Sequence, residues 1–176
     1  MAGKKHRSYL DDFQRDVNGD YQYRGAHYRY AGTMEYQTLR RSLWLCCGCG
    51  SALVLGAGCL PGATAGAVWY VTLPTMLALV ACGFLLWTLA RWTKGGMTLR
   101  AYVHAQTVER LPAEALIAAG MSAFGAVGQV IALLLENSAN WAKIGHFSAL
   151  AVAAGLFIRT HVLMKRTVYD FIDATK

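Results

Sequence analysis

From Ser42 to Ala90 the chain runs for 49 residues without an Asp, Glu, Lys, Arg or His. A bilayer's hydrocarbon core takes about 20 helical residues to cross. The run is therefore long enough for two crossings and too long for one. Its middle reads Leu60-Pro61-Gly62-Ala63-Thr64-Ala65-Gly66, and Pro with Gly ends a helix and makes a turn. The pattern predicts a hairpin of two spans, 42–60 and 67–90.

A second charge-free run covers 115–135. It is preceded by Leu111-Pro112-Ala113-Glu114, which places Pro in a first helical turn and an acid near the positive end of the helix dipole. This predicts a third span, 113–135. The fourth, 144–164, carries His146, Arg159 and His161 near its ends, where Arg can reach the headgroups. The expected fold is thus an all-α integral membrane protein of four transmembrane helices in two hairpins. Residues 1–41 form an N-terminal segment, 91–112 a loop between the hairpins, and 165–176 a C-terminal tail.

The chain is 55% hydrophobic with a net charge of +7. A basic surface often signals nucleic acid, but here the charges follow a membrane pattern. Residues 1–41 hold eight Lys and Arg, 91–112 four, and the chain from Arg159 onward four. The other side has Lys143 alone. Positive charge collects on the cytoplasmic side of membrane proteins. The expectation is a multi-pass protein of the cell membrane with both termini and the middle loop cytoplasmic, and no nucleic-acid partner. Trp44, Trp87 and Trp92 then fall at inner ends, and Trp69, Tyr70 and Trp141 at outer ends, as interfacial aromatics do.

The stretch Leu39–Cys59, which holds most of the first span, invites two other readings. Arg40-Arg41 before an apolar run resembles an export signal, but 40 residues precede it and such signals begin near the start. Cys46-Cys47-Gly48-Cys49 contains a C-x-x-C, and Cys82 on the second span lies at a similar depth to Cys49. Cys46, Cys49 and Cys82 are therefore the candidates for a thiol or metal centre. Against this, cysteine packs as a small apolar residue between membrane helices, and the cytoplasmic side disfavours disulfides. Cys46 or Cys47 is also shallow enough for palmitoylation.

Small residues recur at helical spacing. Gly48, Ala52 and Gly56 line the first span, Ser122 and Ala126 the third, and Gly155 the fourth. Such stripes let helix backbones approach closely. Gln129 continues the stripe of span three, where an interhelical hydrogen bond is the ordinary role and a pore or ligand contact the functional one. Pro74 kinks span two, and flanking Thr72 and Thr75 can re-satisfy the freed carbonyl. Spans one to three have no ionisable group in their interiors, which argues against a self-contained proton-driven antiporter.

In the N-terminal segment, Tyr9, Leu10, Phe13 and Val17 fit a short amphipathic helix. Next comes Tyr21-Gln22-Tyr23-Arg24-Gly25-Ala26-His27-Tyr28-Arg29-Tyr30. With Gly25-Ala26 as a two-residue turn, Tyr21, Tyr23, Tyr28 and Tyr30 share one hairpin face that needs cover. Residues 97–108 fit either a short interfacial helix capped by Thr98 or a strand added to that hairpin, and the helix is favoured.

The expected function is non-catalytic: a subunit, adaptor or scaffold of a membrane assembly, with no cofactor or metal. Its expected partners are the bilayer, anionic headgroups on the cytoplasmic side, and another protein or a second copy. The alternatives are a small transporter or channel with a pathway near Pro74 and Gln129, and a thiol or metal protein using Cys46, Cys49 and Cys82.

Overall fold

The computed structural model describes residues 13–15, 21–23, 25–60, 69–136 and 140–172. Four long helices dominate it: α1 (Tyr36–Cys59), α2 (Trp69–Gly95), α4 (Leu111–Glu136) and α5 (Trp141–Lys165). The short α3 (Ala101–Thr107) lies between α2 and α4. Each long helix is apolar and long enough to cross a membrane. At about 1.5 Å per residue, α2 is about 40 Å long, more than a hydrocarbon core requires.

The helices exceed the charge-free runs mainly at one end. α1 begins at Tyr36, ahead of Arg40 and Arg41, and α2 continues through Arg91 and Lys94. Charge marks where the hydrocarbon ends, whereas the helix stops where its hydrogen-bond ladder is broken. For α2 that point is Gly95-Gly96, with Gly96 at φ 72° turning the chain out of the helix. α5 opens on Asn140, whose side chain accepts a hydrogen bond from Ala142 N at 3.3 Å.

Each long helix packs on two neighbours in the cyclic order α1, α2, α4, α5. The core is a narrow seam that includes Leu43, Val54, Leu85, Leu89, Leu150 and Phe157, all fully buried. The outer faces are apolar too. Leu45, Phe84, Trp87, Phe124 and Leu134 are each more than 60% exposed. A contiguous exposed apolar belt of this kind suits lipid and would be a liability in water.

Among the described residues, five short strands complete the fold. β1 (Phe13–Arg15) pairs with β2 (Tyr21–Tyr23), antiparallel. β3 (His27–Tyr30) is the centre of a separate sheet in the order β4-β3-β5, with β4 (Thr98–Arg100) and β5 (Tyr169–Ile172) both antiparallel to it. This sheet draws on the segment before α1, the loop after α2 and the tail after α5. All three are thereby fixed at one end of the bundle.

The expected 21–30 hairpin is overturned. Tyr23 pairs with Phe13 rather than Tyr28, and Tyr21 with Arg15 rather than Tyr30. β3 instead pairs Tyr28 with Leu99 and Phe171, and Tyr30 with Tyr169. A lone hairpin is marginal, and two partner strands lie within reach of β3 at the bundle end. Phe13 lies in a strand, not the expected amphipathic helix; Tyr9, Leu10 and Val17 lie outside the described residues. Residues 97–108 are strand and then helix. Thr98 sits in β4, and α3 starts after Arg100, which makes no side-chain cap bond.

Candidate functional site

Strand alternation gives the sheet two unlike faces. By register, His27, Arg29, Thr98, Arg100, Asp170 and Ile172 share one face. Tyr28, Tyr30, Leu99, Tyr169 and Phe171 share the other, of which Tyr30, Leu99 and Tyr169 pack on the helical core while Phe171 at the edge stays exposed. The tyrosine-versus-basic alternation expected from the sequence therefore holds across β3, although its partner strands differ.

On the inner face, Tyr28 stacks on His104 of α3 with ring centroids 4.2 Å apart, and meets Phe171 edge-on at 5.7 Å. Tyr30 contacts Tyr36 and Tyr169 edge-on, and its hydroxyl donates to Met34 O at 2.6 Å. Tyr36 in turn packs on Trp92 at 5.3 Å. Trp92 is completely buried, and its indole N–H donates to the Tyr169 hydroxyl at 2.7 Å. The sequence placed Trp92 in the interfacial belt. The fold places it beneath the sheet, tying the end of α2 to β5. Trp44, Trp69, Trp87 and Trp141 remain exposed, as the belt requires.

Burial shapes the chemistry here. It pushes the Tyr169 phenol up to about 12, although the bond from Trp92 acts in the opposite direction. Tyr30 is raised by burial as well. His104 Nδ1 lies 3.5 Å from Glu109 Oε1. His161 Nδ1 lies 2.8 Å from Pro112 O; as that carbonyl can only accept, this nitrogen carries the proton. A cleft of about 710 Å³ opens between these groups, lined in part by Tyr28, His104, Glu109, His161, Lys165 and Tyr169.

Within the bundle, the small-residue stripes divide. Ser122 and Ala126 are buried, with Ser122 Oγ donating to Ala118 O at 2.8 Å. Gly48 and Gly56 have no neighbour where a side chain would begin, and Ala52 is exposed, so the stripe of α1 faces outward. Gly155 is likewise exposed and uncontacted. The close approaches lie elsewhere. A methyl added at Gly50 would meet the Phe157 ring at 2.7 Å, and one at Gly128 would lie 2.6 Å from Tyr70 O. Tyr70 O is the carbonyl that Pro74 deprives of its helical donor. It is covered by Gly128 of α4, while Thr75 Oγ1 donates to Val71 O at 2.8 Å instead.

Several buried polar atoms among the described residues of the bundle have no hydrogen-bond partner: Tyr36 Oη, Ser51 Oγ, one Glu114 carboxylate oxygen, Gln129 Oε1 and both His146 ring nitrogens. Gln129 is 1% exposed with Oε1 unbonded, and His146 is fully buried with both ring nitrogens unbonded. Both lie near the α4–α5 connection, on helices that pack together. His146 was legible only as an end residue of span four. Its burial follows from sharing a helical face with Leu150, Ala153 and Phe157.

The cysteines differ in exposure. Cys46, Cys47 and Cys82 are buried and Cys49 is exposed, all as free thiols. Cys47 Sγ lies 3.5 Å from Thr160 Oγ1. Among the described residues, no three His, Cys, Asp or Glu side chains are grouped to hold a metal. No family model, curated protein or solved structure matches this chain.

Proposed function

We propose that this chain is a non-catalytic multi-pass protein of a cell membrane, with both termini cytoplasmic, and that it works as a subunit or scaffold. The observation that carries this reading is the braced sheet at one end of the bundle. Three distant chain segments and an aromatic cluster are spent on building it. Its outer strand still leaves Phe171 59% and Ile172 40% exposed, with Val168 beside it at 54%. Apolar side chains on an edge strand beyond the apolar helices favour contact with a second chain. Extraction in mild detergent should bring down a stoichiometric partner or a second copy. A protein that runs as a lone monomer under every gentle extraction tried contradicts the reading.

A second reading, a small channel or transporter, is favoured by the buried, unbonded Gln129 Oε1 and His146 ring nitrogens. Buried polar groups without partners carry a penalty of about 1–3 kcal/mol each, and functional polar sites inside membranes look like this. Reconstitution of the chain alone, with flux measured for Gln129→Leu and His146→Phe against the parent, tests it. Flux that is absent, or unchanged by both variants, argues for the scaffold.

A further inference from the structure

Gln129 and His146 are the most deeply buried of the described side chains that carry an unbonded buried polar atom, at 1% and 0% exposure. They sit on α4 and α5, and two contacts fix the register of that pair. His161 Nδ1 meets Pro112 O at 2.8 Å, and a methyl built on Gly125 would lie 2.9 Å from Leu150 Cδ1. Positions therefore rise along α4 as they fall along α5. One turn on from Gly125 is Gln129, and one turn back from Leu150 is His146. Residues four apart share a helical face. The two buried side chains thus enter one layer of the seam from opposite sides.

The first two helices reach the same level. Tyr70 O of α2 lies 2.6 Å from a methyl built on Gly128, and Leu60 Cδ1, just past α1, lies 3.3 Å from one built on Gly145.

The chemistry of the layer selects what fits it. An imidazolium would bury a charge with two unbonded N–H groups, so the ring is neutral. It then offers one N–H donor and one acceptor nitrogen on opposite edges, and Gln129 Oε1 only accepts. A direct bond between the two side chains would leave at least one ring nitrogen unmet. A small molecule that both donates and accepts can serve all three atoms. Water does so, and buried water ordinarily serves polar groups that the chain itself does not satisfy.

We propose that Gln129 and His146 form a buried binding site for water, one molecule bridging Gln129 Oε1 to the imidazole and a second on the ring's far nitrogen. The site does not depend on the channel reading. Flux tests that reading, and hydration of these two side chains tests this one.

The full chain, labelled with nitrogen-15 at histidine and glutamine and purified in detergent, is observed by NMR. Cross-peaks to long-lived water are expected from both the His146 ring and the Gln129 side-chain amide. Loss of the signals in His146→Phe assigns the ring. Gln129→Leu and the unbranched Gln129→Met should weaken the water cross-peak of His146 at least about threefold, because the bridge loses one anchor. Ser122→Ala, about two turns away on the same face, removes a hydroxyl already bonded to Ala118 O and should leave the cross-peak in place. Unshifted signals of His104 and His161, nearer the sheet, report that a variant is folded. The parent spectrum decides by itself if a variant fails to fold: water contacts at both side chains support the site, and their absence at either one overturns it. A His146 water contact that persists unchanged in folded Gln129→Leu or Gln129→Met overturns it as well.

Discussion

Glycine positions separate tight packing from mere smallness. A side chain at residue 128 collides with the backbone oxygen of Tyr70, which cannot move without unwinding α2, whereas residue 56 faces open space. Gly128→Ala should therefore lower stability by about 1–3 kcal/mol, as overpacking does. Gly56→Ala should leave it unchanged. Thermal melting in detergent measures both, and equal effects would mean that α1 is packed where the fold leaves it bare. The sequence pointed to Gly48, Ala52 and Gly56 because spacing identifies a small face without saying which way it points. The orientation is set by Leu43, Cys47, Val54 and Ala57, the larger stripe beside it.

Tyr169 offers a second test at the same scale. Burial holds its phenol neutral until about 12, against an ordinary value of 10.0. Below pH 10 the group is neutral whether the chain is folded or unfolded, and its contribution is fully present. Between pH 10 and 12 the unfolded chain ionises first, so stability falls as pH rises through that window. Tyr169→Phe should flatten the alkaline decline. At neutral pH it should still destabilise by about 1–3 kcal/mol, because Trp92 loses its buried acceptor. Stability against pH for the parent and Tyr169→Phe shows both effects. Parallel curves above pH 10 would contradict the assigned burial.

At the scale of elements, periodicity located the four long helices because a charge-free run of fixed length has few other solutions. It missed the sheet because strands of three or four residues leave almost no period to read. The basic-tyrosine alternation of β3 was visible. Its partners lie about 70 and 140 residues away in sequence, a distance that local turn chemistry cannot bridge, so the sequence alone points to a neighbouring strand. Of the site residues, Tyr28 and Tyr30 were legible by alternation and Gln129 by polarity. Trp92, His104 and His146 owe their roles to contacts across the fold.

The pairing of β3 makes a prediction about truncation. Removing residues 1–24 retains all three strands of the sheet. Removing 1–35 takes away β3, separates β4 from β5 and uncovers the aromatic cluster. The shorter deletion should melt near the parent temperature and the longer one well below it. Tyr28→Ser with Tyr30→Ser should approach the longer deletion. Loss of stability already complete at the 1–24 deletion would transfer the bracing role to the strands before β3.

For the whole molecule, the sheet and the charge count converge on one arrangement from independent physics. Hydrogen bonds join the segment before α1, the loop after α2 and the tail after α5. Together with the helix ends that adjoin them, over 1–41, 91–112 and 159–176, these segments hold sixteen of the seventeen Lys and Arg residues. In the proposed membrane arrangement, backbone pairing puts all three on one side of the bilayer, and we assign that side to the cytoplasm from the positive-inside rule. The exposed apolar belt on the four helices supplies the surface that lipid would cover.

Reporter fusions at four positions in cells test this arrangement most directly. Fusions after Lys176 and at Gly95-Gly96 should both read cytoplasmic. Insertions within 61–66 and 136–143 should both read external. A Lys176 fusion and a Gly95-Gly96 fusion on opposite sides would contradict the account, because no sheet could then join β4 to β5 through β3.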